Sequence, residues 1–98
     1  MAVKDTVESA IKDNKIVVFS KSYCPYCKKA KALLNSLNEK FAAYELDEIA
    51  DGTAMQAYLK EKNGQSSVPN IYIKGTHVGG CDDLHAAHSS GKLQKLLA

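Results

Sequence analysis

"KIVVFSKSYCPYCKKAK", residues 15–31, holds the transition from which the rest of the chain can be organised. Its first six residues run β-branched and aromatic side chains together without polar alternation, the pattern of a strand covered on both faces. Pro25 follows Cys24 directly, and proline suits the first position of a helix, where its missing N–H would have had no partner. Cys27, Ala30, Leu33, Leu34 and Leu37 then recur on one side of a helix expected to reach about Asn38. A strand therefore turns into a helix, and two cysteines three positions apart sit on the turn.

On the N-terminal side, Val3, Val7, Ala10 and Ile11 recur at helical spacing and predict an amphipathic helix over residues 3–13. On the C-terminal side, "FAAYEL" (41–46) reads as a second strand. Asp51 is expected to cap a helix through Gln56, Tyr58 and Leu59 that stops at Asn63-Gly64. "NIYI" (70–73) and "THVG" (76–79) flank Lys74-Gly75, a tight hairpin signal. A last helix follows Gly80, is interrupted near Ser89-Ser90-Gly91, and ends in "KLQKLLA". The order α-β-α-β-α-β-β-α makes the first two strands parallel and the last two antiparallel. The expectation is an α/β fold in one domain over residues 1–98, a mixed four-stranded sheet flanked by helices on both faces. A Cys-X-X-Cys inside such a βαβ unit is the context of a thioredoxin-like fold and redox motif.

Composition narrows the function classes. A chain of 98 residues supports one modest core, and a net charge of +2 gives no global reason to expect nucleic acid or a membrane surface. No apolar run approaches the roughly 18 residues of a membrane span. Residues 1–14 lack the apolar segment of a secretory signal, and their acids Asp5, Glu8 and Asp13 argue against a transit peptide. Three cysteines are too few, and odd in number, for a secreted disulfide framework, so a cytoplasmic protein is expected.

The thiolate, not the thiol, attacks a disulfide, so a working cysteine needs its pKa lowered. Cys24 lies at the helix start, where free N–H groups and the helix dipole favour a negative charge, and Lys21 brings a cation nearby. Cys27 shares a face with Ala30, Leu34 and Leu37 and should point inward. An attacking and a resolving thiol need that inequality. Zinc is the competing use of such a pair. Structural zinc normally takes four ligands; no second Cys-X-X-Cys is present, and only Cys81 with one of His77, His85 or His88 offers a completion. No metal is expected.

At this point the chain resembles the dithiol glutaredoxins. Cys24-Pro25-Tyr26-Cys27 matches their active-site motif, with Lys21 at a basic position before it. Ser67-Val68-Pro69 resembles their Thr-Val-Pro loop, with Ser67 a mild departure, and Gly79-Gly80 followed by Cys81-Asp82-Asp83 matches their Gly-Gly-X-X-Asp segment. Thioredoxins proper carry a Trp-Cys-Gly-Pro-Cys motif, and this chain has no tryptophan. The resemblance implies glutathione-dependent reduction of protein–glutathione mixed disulfides and protein disulfides, with glutathione as co-substrate. It implies a monomer whose partners are glutathione and glutathionylated or disulfide-containing proteins. Cys24 and Cys27 would be catalytic. Lys21 and Gln56 would hold the glycyl carboxylate, and Tyr26 would flank the cysteinyl part unless it packs inward. Val68, ahead of a cis Pro69, would pair its backbone with the ligand. Asp82 would meet the γ-glutamyl amine, with a plain N-cap the alternative for Asp82 or Asp83 and both jobs open to Asp82, and the amides around Cys81 and Asp82 would take the α-carboxylate. Cys81 itself is expected to be inert, and His85 and His88 to lie on a helix surface. Family members that bridge an iron–sulfur cluster usually lack the proline found here at position 25.

Overall fold

The computed structural model describes residues 2–98. Nine elements follow one another: α1 (Val3–Asp13), β1 (Ile16–Ser20), α2 (Pro25–Ser36), β2 (Ala42–Glu45), α3 (Gly52–Asn63), β3 (Asn70–Ile73), β4 (Thr76–Gly79), α4 (Cys81–Ser90) and α5 (Lys92–Leu97). The strands form one sheet in the order β2-β1-β3-β4. β1 and β2 are parallel, with Val18 opposite Ala43 and Ser20 opposite Glu45. β3 runs antiparallel to both β1 and β4.

β1 is the centre of the molecule, and every one of its residues is buried. Its unbroken apolar run follows from covering both faces at once. Ile16 and Val18 point to one side, where Ala30 and Leu34 of α2, Leu84 of α4 and Leu93 of α5 close over them. Val17 and Phe19 point to the other, against Val7 and Ile11 of α1 and Met55 and Leu59 of α3. The period of two along a strand is what sends alternate residues into two separate cores.

Turn chemistry closes the β3–β4 hairpin as expected, with Lys74 at φ 49° and Gly75 at φ 80°, the positive pair that a two-residue hairpin turn requires. Two local expectations are corrected. α2 stops at Ser36, two residues before Asn38, which itself takes a positive φ of 57°. Asp51 occupies the N-cap of α3 but makes no side-chain cap bond. Its backbone (φ −93°, ψ 14°) is not the extended conformation from which an N-cap side chain reaches the next amides. The helix start is set instead by close packing of Gly52, where a Cβ would lie 1.7 Å from the Leu46 carbonyl oxygen.

Candidate active site

Cys24 is the N-cap of α2, with Pro25 behind it at the first helical position. Its Sγ accepts a hydrogen bond from the Cys27 backbone N–H at 3.3 Å and lies 3.9 Å from the Val68 carbonyl oxygen. Burial pushes the Cys24 thiol up. That push is outweighed by hydrogen bonds from the Cys27 side chain and from the Cys27 and Tyr26 amides, together with the charge of Lys31, so the net pKa falls below the ordinary cysteine value. Cys27 behaves oppositely: it is fully buried, and burial followed by its contact with Cys24 raises it to about 11. The motif therefore holds one thiol ready to ionise beside one held protonated.

The cation whose charge contributes to lowering the Cys24 pKa is Lys31, after the larger effect of the hydrogen bonds. Lys31 Nζ pairs with Glu45 Oε2 at 2.8 Å, and Glu45 Oε1 accepts from the buried Ser20 hydroxyl at 2.6 Å. This chain runs beneath the motif from α2 across β2 to the end of β1. Sequence could have offered Lys31 as one of several lysines, but only the pairing of α2 with β2 selects it.

Beside Cys24 opens a groove of about 480 Å³ whose walls include Tyr26, Val68, Pro69, Cys81 and Asp82. Lys21 and Gln56 do not line it. Lys21 is half-buried beside the motif. Gln56 donates from Nε2 to the Ser66 carbonyl at 2.7 Å, which ties α3 to the loop leading into Val68. The Val68–Pro69 peptide bond is cis. Tyr26 is 58% exposed, with Lys29 Nζ 5.5 Å from its ring centroid, so it does not pack inward.

At the opposite wall, the capping role falls to Asp83, whose Oδ2 accepts from the Gly80 N–H at 3.0 Å. Asp82 is exposed on the groove side, in the first turn of α4, without that duty. Gly79 makes the geometry possible. Its φ is +118°, and a Cβ there would meet Asp83 Oδ2 at 2.3 Å. Cys81 is only 6% exposed, and burial raises its thiol pKa. Among the described residues no cluster of three or more His, Cys, Asp or Glu side chains is placed to hold a metal.

Two wall residues carry no sequence signal for this groove, His77 standing in the sequence only as a zinc alternative. Gln65 donates from Nε2 to both the Ser67 carbonyl (3.0 Å) and the Pro69 carbonyl (2.7 Å). His77 Nε2 lies 2.9 Å from Gln65 Oε1. One is a glutamine in a polar loop and the other an exposed position on an edge strand; neither pattern predicts a partner.

Comparison with known proteins points one way. The sequence model of the glutaredoxin family matches residues 16–78. The chain is 58% identical over 96 residues to Glutaredoxin-1 of Rhizophagus irregularis, covering 98% of this chain and 95% of that one. It is 48% identical to Glutaredoxin-2 of Schizosaccharomyces pombe over 97% of this chain and 86% of the other. Its fold superposes with a TM-score of 0.95, at 41% identity, on the crystal structure of a buckwheat glutaredoxin–glutathione complex, covering 97% of this chain and 86% of that one.

Proposed function

The chain belongs to the glutaredoxin family and is a glutathione-dependent thiol–disulfide oxidoreductase, and we propose that its Cys24 carries the attack, with Cys27 as the resolving thiol. The observation that supports this most directly is the Cys24 Sγ at a helix N-terminus, receiving the Cys27 N–H at 3.3 Å at the mouth of a groove. The Cys24 thiolate attacks the glutathione sulfur of a mixed disulfide. A new Cys24–glutathione disulfide forms, and the target protein leaves as a thiolate that takes up a proton. A second glutathione thiolate then attacks the glutathione sulfur, releases oxidised glutathione and restores the Cys24 thiolate. For a protein's internal disulfide, Cys27 instead loses its proton and attacks Cys24, expelling the reduced target and leaving a Cys24–Cys27 disulfide for two glutathiones to reduce.

The groove fits an anionic tripeptide. Val68 offers its backbone beside Cys24, Tyr26 and Pro69 flank the cysteinyl centre, and Asp82, free of the cap, faces the γ-glutamyl amine. The amides at Cys81 and Asp82 open α4 and take the α-carboxylate, a favoured site for an anion. The glycyl end extends past this groove, where Lys21 and the second N–H of Gln56 take its carboxylate. The partners in this reading are glutathione and proteins bearing glutathione or disulfides. The chain acts as a monomer in a reducing compartment such as the cytoplasm.

A coupled assay with a small glutathione mixed disulfide, glutathione and glutathione reductase tests the reading. Turnover that vanishes in Cys24→Ser is the expected result. Turnover in that variant, or none in the parent protein, would overturn it.

A further inference from the structure

We propose that Gln65 is a positioning residue for glutathione capture, its side-chain amide acting as a clamp that holds together the two backbone walls of the groove, with His77 locking the amide in place. The inference rests on the glutathione reading of this groove and adds to it two residues that touch none of the reacting atoms.

A primary amide has two N–H donors and one carbonyl oxygen. Both donors of Gln65 are committed to backbone carbonyls on either side of Val68, those of Ser67 and Pro69. Carbonyl oxygens only accept, so this pairing fixes which end of the amide is nitrogen. The remaining Oε1 then needs a donor, and His77 Nε2 stands 2.9 Å away, which sets the Nε2–H form of the ring. His77 is in turn held against Tyr72, ring centroids 5.2 Å apart. Tyr72 belongs to the same anchor: its hydroxyl and Asn70 both accept from Asn63 Nδ2, and Asn63 Oδ1 accepts from the Gln65 N–H.

The clamp spans both walls. The Ser67–Pro69 segment presents the Val68 backbone, and His77 leads through β4 into Gly79-Gly80 and the start of α4. A Cβ built on Gly80 would stand 3.9 Å from Gln65 Nε2 and 3.7 Å from the Pro69 carbonyl oxygen, so the walls meet at this amide. Without it, the Ser67 and Pro69 carbonyls of one wall lose their donor and that wall loses its link to His77, so the Val68 backbone between them loses the fixed orientation that strand-like pairing with a peptide ligand needs. Cys24 is activated by α2 and Lys31, which the clamp does not touch. Its loss should therefore weaken ligand capture and spare the thiolate.

The test uses the full chain in the coupled glutathione assay. Gln65→Met keeps length and loses all three bonds, and it should raise KM for the glutathione mixed disulfide about five- to tenfold. The kcat and the pH dependence of Cys24 alkylation should stay unchanged. His77→Phe keeps the ring against Tyr72 but removes the donor, and should raise KM in the same direction; His77→Gln, which restores a donor, should recover most of it. Should Gln65→Met lose its far-UV circular dichroism, the His77 pair carries the test alone. An active parent with unchanged KM in Gln65→Met and His77→Phe would overturn the clamp. So would a shifted Cys24 alkylation midpoint, or a His77→Gln variant no better than His77→Phe. An inactive parent would overturn the glutathione reading itself, a distinct result.

Discussion

Burial alone would raise the Cys24 thiol pKa, and it is the Cys27 side chain, then the Cys27 and Tyr26 amides, with a smaller part from the charge of Lys31, that reverse the sign. The alkylation rate of Cys24 should therefore titrate with a midpoint below about 8.5, the free-cysteine value. Lys31→Met should move that midpoint upward, whereas Lys21→Ala should leave it in place and raise KM for glutathione. A midpoint that follows Lys21 and ignores Lys31 would show that the ion pair to Glu45 neutralises Lys31 completely. Cys27 supplies the complementary prediction. Its thiol is fully buried and raised to about 11, and in the proposed mechanism it enters only when a second thiol of the protein must expel a bound target. Cys27→Ser should keep or raise deglutathionylation, because the internal disulfide no longer competes, and should sharply lower reduction of dithiol-type protein disulfides. Equal loss of both activities in a folded variant would contradict the division of labour.

Within α4 two adjacent aspartates do different things because a helix turns about 100° per residue. Both border the groove, but Asp83 also reaches back to the Gly80 N–H and fastens the helix start, a duty Asp82 does not share. Asp83→Ala should cost about 1 kcal/mol of stability, as lost N-terminal caps do. For a chain this short that corresponds to a fall in Tm of about 4–8 °C. Asp82→Ala should leave Tm nearly unchanged and raise KM for glutathione. Thermal melts and KM measured on both variants check the split, and the reverse assignment of the two effects would refute it. α3 makes the same point about helix starts. Asp51 has the right chemistry for a cap and the wrong backbone, and Gly52 against the Leu46 carbonyl does the positioning.

For the folded molecule, the buried Cys27 thiol links stability to alkaline pH. Its folded pKa of about 11 lies above its unfolded value, so the native state favours the protonated form. That contribution is fully present below about pH 8.5, the free-thiol value, and is lost as pH rises toward 11, because the unfolded chain ionises first. Denaturant midpoints measured from pH 7 to pH 11 should fall more steeply in the parent protein than in Cys27→Ser, under reducing conditions. Parallel curves would mean that the Cys27 thiol ionises as readily in the fold as outside it. Tyr58 and Lys62, remote from the motif, are common to both proteins and cancel in the comparison, whereas Cys24, whose pKa is lowered by the Cys27 side chain, is blocked by alkylation in both.

The features read correctly from residue pattern alone depend on near neighbours, whereas the cis Val68–Pro69 bond was legible only through the family resemblance. The all-apolar run at Ile16–Phe19, the Cys24-Pro25 helix start, the Lys74-Gly75 turn and the inward face of Cys27 each follow from periodicities and turn preferences spanning a few residues. These preferences act before distant segments meet, so they are written in the order of residues and were enough to set the sheet and the unequal thiols. The cation on Cys24, the division between Asp82 and Asp83, the failure of Asp51 to cap and the Gln65–His77 clamp are of another kind. Lys31 and Glu45 are 14 positions apart and meet only because β2 lies beside β1 under α2. Gln65 and His77 are 12 apart and meet only when the hairpin folds back beside the cis Pro69 loop. A lysine's charge falls off with distance and a hydrogen bond needs its partner within about 3.5 Å, so the same side chains are inert or decisive according to where the backbone delivers them.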